Sequence, residues 1–273
     1  VITNIGTCHL ENLGDRDGVL KAKTEIFQSM KTNGHIVLNG DDDKLITVRE
    51  YNGVKPVFFG LNSERDVYAD QIESKGLKGV ACRIHLGEDA FDVLVPTPGI
   101  HMVYNALAAA AVGRIYGLTI EEIRRGIESL ETIRGRFKMI ETDKFLVVDD
   151  CYNANPVSMM ASIDVLSQAK GRKIAVLGDM GELGSEEKKL HGMVGTHFAG
   201  KKIDALFVTG TLAGEIAEEA RRVAPETRVY AEPDKEALEE ALLEYRRPGD
   251  TILVKASHFM GFSEIVKKLE QPQ

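Results

Sequence analysis

Residues 144–180 read "KFLVVDDCYNANPVSMMASIDVLSQAKGRKIAVLGDM". A short run of Phe, Leu and Val stops at two aspartates, a segment with helical spacing opens at Asn155-Pro156, and a second apolar run ends at Gly178. Strands that are continuously apolar, rather than alternating, belong to sheets covered on both faces, and their alternation with helices makes the sheet parallel. The pattern continues to the end of the chain. Helix "SEEKKLHGMVGTHFAG" (185–200) leads to strand "IDALFVTG" (203–210), helix "LAGEIAEEARRVA" (212–224), strand "RVYAE" (228–232), helix "DKEALEEALLEYR" (234–246) and strand "DTILVKAS" (250–257). A Rossmann-like α/β domain is expected from about "RGRFKMI" (134–140) onward, covering 134–273.

Upstream the pattern is different, and 1–133 is expected to form part of a second domain. "VITNIG" reads as a strand running into a polar turn, and "GHIVLNGDDDKL" as a strand stopped by Asn39-Gly40 and three aspartates. Residues 46–98 read as short β segments broken by Gly, Asn and Pro. "YNALAAAAVGRIYG" is strongly helical, and "TIEEIRRGIESL" carries a capping box, Thr119 with Glu122.

The chain has 273 residues, 43% hydrophobic and 28% charged, which describes two ordinary globular domains. A net charge of −8 argues against a nucleic-acid or anionic-membrane surface, although an acidic protein can still hold a local phosphate pocket. No apolar run approaches the ~18–20 residues that span a bilayer, and no signal peptide opens the chain. Cys8, Cys82 and Cys151 are too few and too scattered for a disulfide framework, so reduced thiols in a cytoplasm are expected. The opening at Val1, inside a strand-like segment, leads us to expect that the sequence begins partway through a larger protein.

Two stretches imitate phosphate loops. "GTHFAGKK" from Gly195 has Lys202 where Ser or Thr ligates magnesium, and it runs from helix to strand. "VLGDMGELG" spaces its glycines as GxxGxxG and carries Asp179 and Glu182 where they repel a pyrophosphate. Lys23 is more informative. Wound as a helix, "VLKAKTEIFQSM" (19–30) gathers Val19, Leu20, Ile26, Phe27 and Met30 on one face, and Lys23 falls in the middle of it. Two readings stay open: a snorkelling side chain whose head reaches water or a carboxylate, or a lysine kept neutral that reacts with carbon dioxide to form a carbamate, an oxygen ligand for magnesium. His9 leaves a strand end, as a structural hydrogen-bonder or a ligand. Asp149 and Asp150 point to opposite faces of their strand, so only one can face a cleft. Arg134 and Arg136 at the domain boundary are surface charges or a phosphate clamp.

"NIGTCHLENLG", "KAKTEIF", "GIHMVYNALAAAA", "GRFKMIE", "DDCYNANPVSM" and "VLGDMGELG" occur in the order seen in Mur ligases, and the chain resembles that family over essentially its whole length. "YNANP" followed by "GDMGELG" resembles the branch that joins D-Ala-D-Ala to UDP-MurNAc-tripeptide in peptidoglycan synthesis. The resemblance implies a partial central ATPase domain (1–133) followed by the C-terminal Rossmann-like domain (134–273), with the family's GTxGKT loop and catalytic glutamate outside this sequence. A chain without them is expected to be inactive alone. The implied chemistry is ATP- and Mg2+-dependent amide formation through an acyl phosphate, in a cytoplasmic monomer. By motif match, His9 and Lys23 (as its carbamate) are the metal ligands, Asn105 the adenine contact, Arg136 the phosphate-side arginine and Asp150 the ribose-side aspartate, with Tyr152, Asn153 and Asn155 in the same nucleotide-facing segment. Met102 stands where the family usually has asparagine, Cys8 and Cys151 replace small residues, and His258 replaces a common arginine. The rival readings are a non-catalytic nucleotide-binding module and another amide ligase of the superfamily, such as a folylpolyglutamate synthase.

Overall fold

The change from broken β segments to regular strand–helix alternation corresponds to two units in the computed structural model, Val1–Glu131 and Thr132–Gln273; residues 1–6 and 10–271 are described. In the first, α1 (Leu10–Leu13) and α2 (Arg16–Thr24) precede five strands: β1 (Val37–Asn39), β2 (Val57–Gly60), β3 (Val67–Ser74), β4 (Val80–Leu86) and β5 (Asp89–Val95). The sheet runs β1-β2-β3-β4-β5, parallel through β3 and antiparallel beyond it. Buried and partly exposed residues alternate along β4, because one face of the hairpin packs and the other is wet. On the packed face, Cys82, Ile84 and Val93 meet α3 (Ile100–Ile115) through Val103, Leu107 and Ala110. The chain then turns into α4 (Ile120–Glu128), whose Thr119–Glu122 capping box is present in both directions.

Two expectations for this unit fail. "VITNIG" is not a strand: only Ile2 bridges to Leu38. Side chains satisfy the backbone beyond it. Asn39 donates to the Thr3 carbonyl at 3.0 Å, Arg16 Nε donates to that of Ile5 at 3.0 Å, and the Ile5 N–H donates to Asp42 at 2.7 Å. The apolar face of 19–30 also breaks, because α2 tightens at Glu25 into a 3-10 turn reaching Ser29. The step changes from about 100° to about 120° per residue. Val19 and Phe27 stay buried, Ile26 turns out to 64% exposure, and Lys23 is exposed rather than aimed into the core.

The second unit contains β6 (Lys138–Glu141), β7 (Leu146–Asp149), α5 (Pro156–Ser167), β8 (Lys173–Leu177), α6 (Glu187–Thr196), β9 (Ala205–Val208), α7 (Ala213–Val223), β10 (Arg228–Ala231), α8 (Lys235–Tyr245), β11 (Thr251–Lys255) and α9 (Ser263–Glu270). The sheet order is β10-β9-β8-β11-β7-β6. The expected strands and helices form, but the sheet is not wholly parallel. "KMIE" folds back on β7 as an antiparallel edge, half-buried and therefore without a continuous apolar run. The last strand, β11, enters between β7 and β8, with Val254 beside Asp149 and Lys255 beside Leu177. This insertion makes the carboxyl ends of β7, β8 and β11 the point where strand order reverses, the usual ligand crevice of open α/β sheets.

Both phosphate-loop imitations have structural explanations. A Cβ on Gly195 would lie 2.4 Å from the Ile216 carbonyl oxygen, so that glycine lets α6 pack closely on α7. Asp179 is buried and accepts N–H bonds from Thr211 (2.8 Å), Leu212 (3.0 Å) and Ala213 (2.7 Å), capping the start of α7. Beside it, the Met180 N–H donates to His191 Nε2 at 2.9 Å, which assigns the ring proton to Nδ1, 2.7 Å from the Glu187 carbonyl oxygen. Among the described residues no helix is long and apolar enough to cross a membrane. Asp179→Ala should lower the stability of this unit by about 3 kcal/mol, because buried donors are stranded at about 1–3 kcal/mol each. Urea unfolding checks this; a loss under about 1 kcal/mol at unchanged slope contradicts it.

Candidate functional site

Asp149 ends β7 and Asp150 follows it, and the two carboxylates point opposite ways, as extended backbone requires. Asp149 is buried, and its Oδ2 accepts the Gly135 N–H at 2.8 Å, while Oδ1 accepts from the Cys151 thiol at 2.9 Å. On the other face, Asp150 Oδ2 meets Lys255 Nζ at 2.6 Å and Ser162 Oγ at 2.7 Å, and its Oδ1 accepts the Phe137 N–H at 3.1 Å. Among the described residues these bonds take three of the about four lone-pair positions a carboxylate offers. The Tyr152 N–H donates to the Gly135 carbonyl at 2.9 Å, which fastens the entry to β6 against the segment after β7.

This backbone pairing exposes a row of side chains at the strand-order reversal. The Arg136 guanidinium carbon lies 4.0 Å from the centre of the Tyr152 ring, and the His258 ring centre is 5.7 Å from that of Tyr152. Tyr152 is 49% exposed and Phe259, next to His258, is 68% exposed; surface aromatics this open, beside a cation, suit a planar anionic ligand. Arg136, Asp150, Tyr152 and Asn153 are therefore brought together. Asn155 is committed locally: its Oδ1 accepts the Ser158 N–H at 2.9 Å as the N-cap of α5, ahead of Pro156. Arg134 faces Glu270, 3.1 Å away, and is not part of the row. Lys255 and His258 are the residues that motif reading left unassigned. The signal for Lys255 was a lysine inside the apolar run "TILVKAS".

The remaining candidates belong to the first unit. Asn105, exposed on α3, donates to Met102 Sδ at 3.4 Å, and both line a cavity of about 450 Å³ with Val95, Ala106, Ile123 and Ile127. Next to it, Tyr104 donates to Asp41 at 3.2 Å; burial and that carboxylate push the phenol up to about 12. Lys23 Nζ donates to the Asn4 carbonyl oxygen at 2.8 Å, so its head does reach a polar partner, though a backbone one. His9 and Cys8 lie outside the described residues. Among the described residues no group of three or more His, Cys, Asp or Glu could hold a metal ion. A bare lysine amine adds no oxygen donor for a metal; here its hydrogen-bond partner is a backbone carbonyl.

A mostly parallel sheet whose order reverses beside an exposed arginine–aromatic row defines an α/β fold of Rossmann type. Comparison with known families makes this specific: residues 1–113 match the Mur ligase middle domain and residues 135–258 the Mur ligase, glutamate ligase domain. The chain belongs to the Mur ligase family. It is 36% identical over 272 residues to the UDP-N-acetylmuramoyl-tripeptide–D-alanyl-D-alanine ligase of Bacillus subtilis, covering 98% of this chain and 58% of that one. A crystal structure of MurF from Acinetobacter baumannii superposes with a TM-score of 0.85 at 31% identity, over 99% of this chain and 59% of that one. MurF from Thermotoga maritima, solved in complex with ADP, gives 0.81 at 26% identity, over 98% and 61%. The chain thus spans under two thirds of the length of these relatives.

Packing around the row can be read from its thiol. Burial and the neighbouring Asp149 carboxylate push Cys151 up to about 12, and burial pushes Cys82 up to about 11. At pH 8 less than about one part in a thousand of either is thiolate, the reactive form. Iodoacetamide should leave both unlabelled in the folded chain at pH 8, with rates rising about tenfold per pH unit above that. Peptide mapping that finds Cys151 alkylated at pH 8 as fast as in urea would mean the 149–152 segment is open.

Proposed function

We propose that this chain is the nucleotide-clamping part of a cytoplasmic ligase that joins D-Ala-D-Ala to UDP-MurNAc-tripeptide, using ATP. The observation that carries the reading is the match over 98% of the chain to a relative with that named activity, together with the arginine–tyrosine row. In the proposed reaction the tripeptide carboxylate takes the γ-phosphoryl group of ATP, and the dipeptide amine displaces phosphate from the acyl phosphate. Catalysis of phosphoryl transfer is mainly positioning and charge stabilisation. With its carbon 4.0 Å from the centre of the Tyr152 ring, the exposed Arg136 guanidinium is available to bond phosphate oxygens. Asn105, on α3 of the first unit, is the adenine contact; within the second unit, Tyr152 and Asn153 face the nucleotide and Asp150 serves a ribose hydroxyl. Asn155 shapes that segment by capping α5. Magnesium would be held by His9 and carbamylated Lys23, supplying neutralisation of phosphate charge. Forming that carbamate joins a neutral amine to carbon dioxide with release of one proton.

In the protein that contains this chain, ATP, magnesium, UDP-MurNAc-tripeptide and D-Ala-D-Ala should yield the pentapeptide product with one phosphate per amide bond. Product formed only with a glutamate acceptor would favour a folylpolyglutamate-type ligase, and nucleotide binding without product would favour a non-catalytic module. Arg136→Ala should lower kcat by about 10²-fold with little change in KM, as expected of a transition-state contact. A raised KM at unchanged kcat would make it a ground-state contact. Lys23→Ala should remove most activity and acetate should partly restore it, whereas Lys23→Arg should stay inactive; full activity in the Arg variant would return Lys23 to a plain tether on Asn4.

A further inference from the structure

Lys255 lies at the carboxyl end of β11 with 2% exposure, and its ammonium places all its hydrogen bonds on one neighbouring segment. Nζ donates to Asp150 Oδ2 at 2.6 Å, to the Asn153 carbonyl at 3.1 Å and, more loosely, to the Asp150 carbonyl at 3.4 Å. Residues 150–155 have no helix or strand of their own, so this buried head fixes their course from behind. The other oxygen of Asp150 carries the bond onward to the Phe137 N–H.

The backbone on either side of Arg136 is unusual. Gly135 has φ of 76° and Phe137 has φ of 55°, both in the left-handed region, which a bulky residue such as Phe rarely adopts. Such conformations persist only where the surroundings over-determine them, and they cluster at ligand clamps. Here the determinants can be named. Gly135 is held by Asp149 through its N–H and by Tyr152 through its carbonyl, with no room for a Cβ, which would meet that of Tyr152 at 3.0 Å. Phe137 is held by Asp150, and Asp150 by Lys255. Arg136 is the one residue of the three left to project, and it projects over Tyr152.

We infer that the buried Lys255–Asp150 pair is a positioning device for Arg136: it fixes the Tyr152 segment and the Phe137 amide together, so that the guanidinium is presented on the tyrosine ring before any ligand arrives. Lys255 acts on the arginine through Asp150. The inference rests on the reading of Arg136 as the phosphate-side arginine, and it adds that the arginine is preorganised.

The test uses the 273-residue chain with 13C-labelled arginine. In the unaltered chain the Arg136 side-chain protons should be shifted upfield by the Tyr152 ring, and Tyr152→Leu should remove that shift, which assigns it. Lys255→Met should also abolish the shift while the amide dispersion of the sheet is kept. Where Lys255→Met alone fails to fold because Asp150 is stranded, Lys255→Met with Asp150→Asn removes both charges, and the same loss is expected. An unchanged upfield shift in a folded Lys255 variant, with only a lower Tm, would overturn the proposal and leave the pair a structural ion pair. Absence of the shift in the unaltered chain would also overturn it. The readout needs no turnover: failure of the ligase assay with this stack intact bears on the proposed function alone.

Discussion

An ammonium at the end of a strand covered on both faces has to find its charge partner and its hydrogen bonds within reach, and Lys255 does so through one segment. Removing one partner of a buried pair costs about 3–5 kcal/mol, because the other is left charged and dry. The course of residues 150–155, the left-handed backbone at Phe137 and the display of Arg136 all follow from where that ammonium sits. Its place follows in turn from topology. Only because β11 enters between β7 and β8 does Lys255 lie beside Asp150, 105 residues earlier in the chain.

The first unit solves a related problem with side chains instead of a ladder. Residues 3–5 leave the sheet after one bridge, and Asn39, Lys23, Arg16 and Asp42 take up their backbone groups one at a time. Such a segment is held in place without being a strand. Lys23 grips it from α2.

Much of this was legible in the sequence because it depends on local chemistry. Unbroken Val, Ile and Leu runs announced the strands of the second unit, and Thr119 with Glu122 announced a capping box; Asp179, noted for its charge, is found capping α7. What was not legible depends on partners distant in sequence or on a change of helical step. The antiparallel edge β6 has too few buried residues to read as a strand, and the amphipathic α9, burying Ile265, Val266 and Leu269, starts without a side-chain cap to mark it. Lys23 looked buried only while the helix was assumed regular through Met30; the 3-10 turn moves Ile26 into solvent and the apolar face ends early. Lys255 is the opposite case: a lysine in an apolar run that is buried, whose partner no spacing rule could supply. Of the site, the motif residues of 136–153 are gathered in space, whereas Asn155 is committed to a helix cap.

The central claim is that the row formed by Arg136 and Tyr152 is the nucleotide-facing surface of the second unit. Titrating the chain with ADP while following the NMR signals of arginine and tyrosine side chains tests it most directly. Shifts should concentrate at Arg136 and Tyr152, extend to His258, and saturate together. Shifts confined to the opposite end of the sheet, in the cavity of about 520 Å³ between Lys144 and Arg246, with Arg136 and Tyr152 unmoved, would contradict the account.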